Sequence, residues 1–90
     1  MDETDAPAKI AETLDARGLR CPLPVLRMEA RLRRLAPGET LKILADDPIA
    51  AVDIPHFCKT GGHGCTRQPE IDGACVFLVT RGQKHGENGP

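Results

Sequence analysis

Aromatic residues are almost absent from this chain. Among its 90 residues there are two phenylalanines, Phe57 and Phe77, and no tryptophan or tyrosine. Binding of single-stranded nucleic acid usually depends on aromatic side chains on which bases stack. The chain also lacks a strong charge of either sign, since its formal net charge is −1 at pH 7. We therefore expect no direct nucleic-acid partner, and the overall charge favours no other class of ligand.

Long apolar runs are missing as well. No stretch approaches the roughly 20 residues that a membrane-spanning helix needs, and residues 1–8 are acidic, without the apolar segment of a signal peptide. These features predict a cytoplasmic protein with no membrane partner. In that compartment the four cysteines, Cys21, Cys58, Cys65 and Cys75, are expected to be reduced and catalytic or metal-binding, because stable disulfides are rare there.

The order of elements follows from apolar spacing and from the positions of glycine and proline. We predict β-α-β-α-β-β within one domain of residues 11–82, between flexible tails at 1–10 and 83–90. Two helices packed on one face of a four-stranded mixed sheet would give a two-layer α/β sandwich. Pro69 indicates a sheet edge for the third strand, whereas the unbroken apolar fourth strand suits a central position. The strands are predicted at 13–16, 40–45, 65–71 and 74–80.

The first helix has a recognisable start and end. Cys21 is predicted as its N-cap and Pro22 as its first residue, and Pro37-Gly38 is predicted to stop it. Apolar residues recur along it at spacings of three, four and three, which indicates one buried stripe. That stripe consists of Val25, Met28, Leu32 and Leu35.

The second helix is predicted to begin at Asp47, as N-cap, and Pro48, as first residue. Pro55 lies further along the same apolar segment. Because proline removes a helical hydrogen bond and crowds the preceding turn, we expect either a bend at Pro55 or a short turn followed by a helix over about 53–60. Gly61-Gly62-His63-Gly64 would end the segment.

Cys21 lies on the loop before the first helix, in Arg20-Cys21-Pro22-Leu23-Pro24. The helix dipole and Arg20 both favour a thiolate, so we expect a modestly lowered pKa for Cys21. Pro22 and Pro24 remove two N–H donors and stiffen the first turn. The simple alternative is that Cys21 is a structural N-cap, although cysteine is not a preferred N-cap. Since Pro24 occupies the place of a second cysteine, and no base is close in sequence, the pattern favours transfer of a group carried on sulfur.

Several segments together resemble the TusA (SirA-like) family. They are Leu14-Asp-Ala-Arg-Gly-Leu-Arg-Cys-Pro-Leu-Pro, Leu35-Ala-Pro-Gly-Glu, Ala45-Asp-Asp-Pro, Asp53-Ile-Pro-His-Phe-Cys and Gly62-His63. The resemblance covers residues 13–81, and its Cys-Pro-x-Pro motif is specific in this setting.

The resemblance implies a fold and a function. The fold is a two-layer α/β sandwich like the C-terminal domain of translation initiation factor three. The motif cysteine, here Cys21, would accept sulfane sulfur as a persulfide from an IscS-like cysteine desulfurase. It would pass that sulfur to a TusD-type or DsrE-type acceptor protein, most often toward the 2-thiouridine of tRNA. Such a protein is a sulfurtransferase in the sense of a relay carrier, works without a cofactor, and is expected to be a monomer.

The first helix also carries a basic face. Six of the twelve basic residues lie between residues 17 and 34, and three of them recur at helical spacing. This face is either solvated or a patch that steers an acidic partner toward Cys21. Leu23 and Leu26 lie off the apolar stripe and would form the apolar part of the same docking surface. The basic candidates are Arg27, Arg31 and Arg34.

The remaining cysteines and histidines give weaker indications of function. The pattern His56-x-Cys58-x4-His63-x-Cys65 contains zinc-type ligands at a spacing that is unusual for zinc sites, so we predict no metal. Cys58, Cys65 and Cys75 are instead expected in the core, as small apolar residues. His63 is either a structural loop residue or close to Cys21.

Three functions therefore remain open at this point. The first is a cytoplasmic sulfur carrier, in tRNA thiolation, sulfur oxidation or molybdenum-cofactor metabolism. The second is a redox-sensing or regulatory module of the wider family, and the third is a small zinc-binding module.

Overall fold

The computed structural model describes residues 10–82, and its elements follow the predicted order. Residues 1–9 and 83–90, which make up most of the two predicted tails, lie outside the described residues. Ile10 begins the first strand, three residues before the predicted start. The elements are β1 (Ile10–Asp15), α1 (Leu23–Leu32), β2 (Thr40–Ala45), α2 (Pro48–Gly61), β3 (Gly64–Ile71) and β4 (Ala74–Thr80).

The four strands form one mixed sheet in the order β1-β2-β4-β3. β1 and β2 are parallel because α1 carries the chain back between them, whereas β4 is antiparallel to both of its neighbours. The central position of β4 and the edge position of β3 are as predicted. The β3–β4 register shifts between Gln68 and Ile71, on either side of Pro69, which is where an edge strand tolerates proline.

Both helices cover one face of this sheet. From β2, Leu41, Ile43 and Ala45 alternate into the core, as the strand period requires. The two helices each contribute a stripe at spacings of four, which lies on one helical face. The stripes are Pro24, Met28 and Leu32 in α1 and Ala50, Ile54 and Cys58 in α2. The predicted two-layer α/β sandwich is confirmed.

α1 ends earlier than predicted. Its last residue is Leu32, and Arg33 is the C-cap, so the predicted extension to Pro37-Gly38 is wrong. Leu35 is nevertheless buried, because a turn after the helix directs it into the same core.

Of the two alternatives predicted for Pro55, a short turn followed by a separate helix over about 53–60 is wrong. α2 runs without interruption from Pro48 to Gly61 with Pro55 inside it. Its predicted start is confirmed, because the Asp47 side chain accepts a hydrogen bond from the Ile49 N–H. Gly62 follows in the left-handed conformation and ends the helix. Among the helices of residues 10–82, none is long and apolar enough to cross a membrane.

Candidate functional site

Cys21 lies just before α1, one residue ahead of the N-cap, whereas it was predicted to be the N-cap itself. The N-cap is Pro22, whose carbonyl accepts the first intrahelical hydrogen bond, from Leu26 N at 3.1 Å. The Leu23 N–H donates to the Arg20 carbonyl at 2.8 Å, so a turn over residues 20–23 precedes the helix. The prediction of Cys21 as N-cap is therefore wrong, and the Cys21 side chain is exposed before the helix begins.

The N-terminal end of α2 holds the backbone of Cys21 in place. One carboxylate oxygen of Asp47 accepts the Cys21 N–H at 2.7 Å, and the other accepts the Ile49 N–H at 3.3 Å. Asp47 is buried, which strengthens both contacts. Beside it, Asp46 accepts the Gly18 N–H at 3.0 Å. The loop after β1 is thus attached to the loop after β2.

Asp53, one and a half turns into α2, contacts the thiol itself. The Cys21 Sγ donates to Asp53 Oδ2 at 3.3 Å. That hydrogen bond is the main reason that the pKa of Cys21 is raised; some burial and the negative charges of Asp53 and Asp47 act in the same direction. The predicted lowering of the Cys21 pKa is therefore wrong, because a carboxylate hydrogen-bonds to the sulfur and a second carboxylate adds negative charge nearby.

Arg20, Pro22 and Pro24, which were predicted to support Cys21, differ in their exposure to solvent. Arg20 is exposed and lines a polar depression with Gly18, Asp46, Asp47 and Pro48; it does not contribute to the shift in the Cys21 pKa. Pro24 is buried under α1, and Pro22 is exposed.

A cleft of about 260 Å³ opens between α1 and α2, and Asp53, which accepts the Cys21 S–H, is one of its lining residues. Pro22 and Val25 form its α1 wall, and α2 supplies both apolar and polar groups. The α2 wall consists of Asp53, His56, Phe57 and Thr60.

Sequence reasoning missed the contact of Asp53 with Cys21. Asp53 was noted only as part of a family motif, because 32 residues separate it from Cys21.

Leu23, Leu26 and Arg27 form an exposed surface on α1 next to Cys21. Leu23 is 41% exposed and Leu26 is 51% exposed, which is high for leucine. The other two basic candidates lie elsewhere: Arg31 and Arg34 each approach the Glu12 carboxylate of β1 at 3.5 Å. Sequence reasoning missed Glu12 as their acidic partner, because Glu12 comes from another element.

The other three cysteines are free thiols, like Cys21. Cys58 is fully buried in α2, and burial raises its pKa to about 12. Cys75 is partly buried against the core, with Arg67 Nη2 3.2 Å from its sulfur. Cys65, however, is exposed on the edge strand β3, so its predicted core position is wrong.

His63 has a structural role. Its Nδ1 accepts the Gly82 N–H at 2.9 Å, and its ring stacks on Phe57 with 5.8 Å between centroids. Burial, and then the charge of Arg81, lower its pKa. Within residues 10–82, no three side chains of histidine, cysteine, aspartate or glutamate are arranged to hold a metal ion.

Comparison with known proteins adds to this geometry. The sequence model of the family described as Sulfurtransferase TusA matches residues 12–81. The chain is 43% identical over 68 residues to proteins named "Sulfur carrier protein TusA" from Pseudomonas paraeruginosa and Pseudomonas aeruginosa, an alignment that covers 76% of this chain and 86% of each relative.

A solved structure is also similar to this chain. It is that of a SirA-like protein from Desulfitobacterium hafniense, with a TM-score of 0.71 and 25% identity, over 80% of this chain and 99% of that one. Together, the match over residues 12–81 and the similar relatives show that this chain is a member of the TusA family of sulfur carriers.

Proposed function

We propose that this protein carries sulfane sulfur as a persulfide on Cys21. The sulfur would come from an IscS-like cysteine desulfurase and pass to a TusD-type or DsrE-type acceptor protein in the cytoplasm, toward 2-thiouridine in tRNA. The protein is then a relay carrier, and turnover belongs to the enzymes on either side of it. Membership of a family whose relatives are named sulfur carriers supports the general role.

The observation that carries the proposal is the placement of the Cys21 thiol. It is exposed and free, while its backbone is held by a buried carboxylate at 2.7 Å. A carrier thiol must enter the active sites of two different proteins, and a fixed, protruding position lowers the ordering cost of each encounter. The exposed Leu23, Leu26 and Arg27 beside it provide an apolar and cationic surface of the kind that a transient partner contacts.

The chemistry is thiol exchange at sulfur. The Cys21 thiolate attacks the terminal sulfur of a donor cysteine persulfide, so a new S–S bond forms at Cys21 while the S–S bond of the donor breaks. The donor cysteine leaves as a thiolate, the terminal sulfur keeps its hydrogen, and the thiol proton of Cys21 goes to solvent. Transfer to the acceptor repeats the step with Cys21 as the leaving group. No oxidant is required in either direction.

The regulatory alternative fits this geometry less well. Cysteines that sense oxidants react as thiolates and have low pKa values, whereas Asp53 raises the pKa of Cys21. A carrier that meets its donor in a complex does not need a reactive thiol when it is alone.

The experiment is a comparison of Cys21→Ser with Cys65→Ser. Both residues are exposed free cysteines in the wild-type protein, so the second variant is a matched control. Each protein is incubated with an IscS-like desulfurase and L-cysteine, and its intact mass is measured without reductant. We expect the mass of one added sulfur on wild type and Cys65→Ser, and none on Cys21→Ser, with unchanged circular dichroism for all three.

The same variants address the pathway in cells that lack their own carrier. Wild type and Cys65→Ser are expected to restore 2-thiouridine in hydrolysed tRNA, and Cys21→Ser is not. Undiminished sulfur loading of Cys21→Ser would refute the carrier site, whereas normal loading without recovery of 2-thiouridine would refute the tRNA pathway.

A further inference from the structure

Asp53 poses a chemical problem for the proposed function, on which this inference rests. A thiolate performs the exchange step, yet the Asp53 carboxylate accepts the Cys21 S–H at 3.3 Å and so favours the neutral thiol. The nearby Asp47 adds a second negative charge and holds the Cys21 N–H. The free protein therefore presents its carrier sulfur in the less reactive form.

The cleft next to this hydrogen bond has a composition that favours one kind of occupant. Val25 and Phe57 provide apolar walls, and both are partly buried. Asp53 is half-buried and supplies the negative charge on the α2 side. A lysine or arginine side chain combines an alkyl stem, which packs on apolar walls, with a cationic end, which pairs with a carboxylate. The volume of about 260 Å³ is sufficient for one such side chain.

We propose that the cleft between α1 and α2 receives a lysine or arginine side chain of the docked sulfur donor, and that pairing of this cation with Asp53 frees the Cys21 thiol to ionise. The proton leaves to solvent, and the thiolate attacks the donor persulfide by the exchange already described. Asp53 thus makes the reactivity of the sulfur conditional on the correct partner. In the free protein the same contact protects the exposed thiol from unrelated electrophiles.

Other charged groups near the sulfur do not already provide this cation. Within residues 10–82, Arg20 pairs with no carboxylate within 4.0 Å, and its charge does not contribute to the shift in the Cys21 pKa. His56 lines the cleft from α2 but is exposed. Asp53 thus contacts the Cys21 thiol and Asp47 adds a second negative charge, while His56 lies on the same wall of the cleft as Asp53.

The first test measures the thiol alone. Asp53→Asn keeps the size of the side chain but removes its charge. Asp46→Asn removes a neighbouring carboxylate that contacts Gly18 and does not affect the Cys21 pKa. Iodoacetamide labelling is followed from pH 6 to pH 10 on the tryptic peptide of residues 21–27, which contains Cys21 and no other cysteine. We expect the midpoint of Cys21 labelling to move to lower pH in Asp53→Asn, and to stay in place in Asp46→Asn and in Asp53→Glu, which retains a carboxylate.

The second test measures the partner. Binding of an IscS-like cysteine desulfurase is compared for wild type, Asp53→Asn and Asp46→Asn, without L-cysteine so that no sulfur moves. We expect Asp53→Asn to weaken binding by about threefold, as for loss of one partly exposed ion pair, and the difference to shrink in high salt. Asp46→Asn is expected to bind like wild type.

Each outcome is decisive for one proposal. An unchanged labelling midpoint in Asp53→Asn, or an unchanged desulfurase affinity, overturns the role of Asp53. Failure of the wild-type protein to load sulfur refutes the proposed function instead, and the labelling comparison remains interpretable because it requires no sulfur donor.

Discussion

The pKa of the Cys21 thiol depends on residues that lie far from it in the sequence. Its sequence neighbour Arg20 and the adjoining helix start favour a thiolate. Asp53, 32 residues away, reverses that expectation through a direct hydrogen bond. A hydrogen bond at 3.3 Å acts more strongly than an exposed charge whose side chain extends into solvent, because water screens the latter. The reactivity of this sulfur is therefore a tertiary property.

His63 is the second residue whose protonation matters. The neutral ring accepts the Gly82 N–H through Nδ1 and stacks on Phe57, and burial together with Arg81 disfavours the imidazolium. Its pKa in the folded protein is therefore lower than in the unfolded chain, where it is about 6.5. As the pH falls below that value, the unfolded state takes up a proton first, so the folded state loses stability.

We expect the free energy of unfolding of the wild-type protein to decrease between pH 7 and pH 5, and His63→Asn to weaken this dependence. The asparagine Oδ1 lies near the position of Nδ1 and preserves the acceptor, but it does not titrate. Urea unfolding at a series of pH values measures both proteins. The pKa of Asp15, lowered to about 2 mainly by its hydrogen bond to Arg17, concerns much more acidic conditions. Equal pH dependence in both proteins would exclude His63 as the cause.

At the scale of the elements, α2 organises the site. Its first turn holds Cys21 through Asp47, its middle contacts the thiol through Asp53, and its buried stripe attaches it to the sheet. Pro55 lies inside this helix, where it removes the hydrogen bond to the Ala51 carbonyl. The helix continues because its apolar stripe packs on the sheet, and such packing supplies most helical stability in proteins.

We expect Pro55→Ala to stabilise the protein by about 1–2 kcal/mol, because the alanine N–H restores a helical hydrogen bond and removes the steric crowding of the ring. Pro48→Ala is the matched control. Pro48 is the first residue of the same helix, where the missing N–H costs nothing, so its loss should be neutral or slightly destabilising. Urea unfolding compares the two. A loss of stability in Pro55→Ala would mean that packing of the proline ring outweighs the restored hydrogen bond.

The whole molecule depends on a small core between the helices and one face of the sheet. Ile54 is fully buried and belongs to the same core as the sheet residues Phe77 and Ile43. Domains of this size have total stabilities on the order of 5–10 kcal/mol. A single large cavity in the core would therefore remove a large part of the free energy of unfolding.

We expect Ile54→Ala to destabilise the protein by about 2–5 kcal/mol, because it removes buried methyl groups and leaves a cavity. Val52→Ala, on the exposed side of the same helix at 69% exposure, should change stability by less than about 0.5 kcal/mol. Thermal unfolding of the two variants measures the difference. Similar unfolding midpoints for the two variants would show that α2 contributes little to the core. They would also contradict the explanation that packing on the sheet keeps α2 helical across Pro55.

Local patterns were sufficient for most of the architecture. The alternation of Leu41, Ile43 and Ala45, the Asp47-Pro48 helix start and the edge signal of Pro69 each depend on residues within a few positions, and the structure agrees with all three. Two of the predictions that were wrong depend on contacts between elements. Packing on the sheet keeps α2 whole across Pro55, and the edge position of β3 exposes Cys65.

The sequence by itself determined the family, the order of the elements and the cysteine that stands before the first helix, because motifs and periodicity are local. Only the tertiary structure decided what surrounds that cysteine. Folding places Asp47, the N-cap of α2, and Asp53, within α2, against a loop that precedes α1, and no local pattern encodes that approach. The charge at the sulfur is therefore set by the packing of the two helices, since electrostatic effects depend on distance in space.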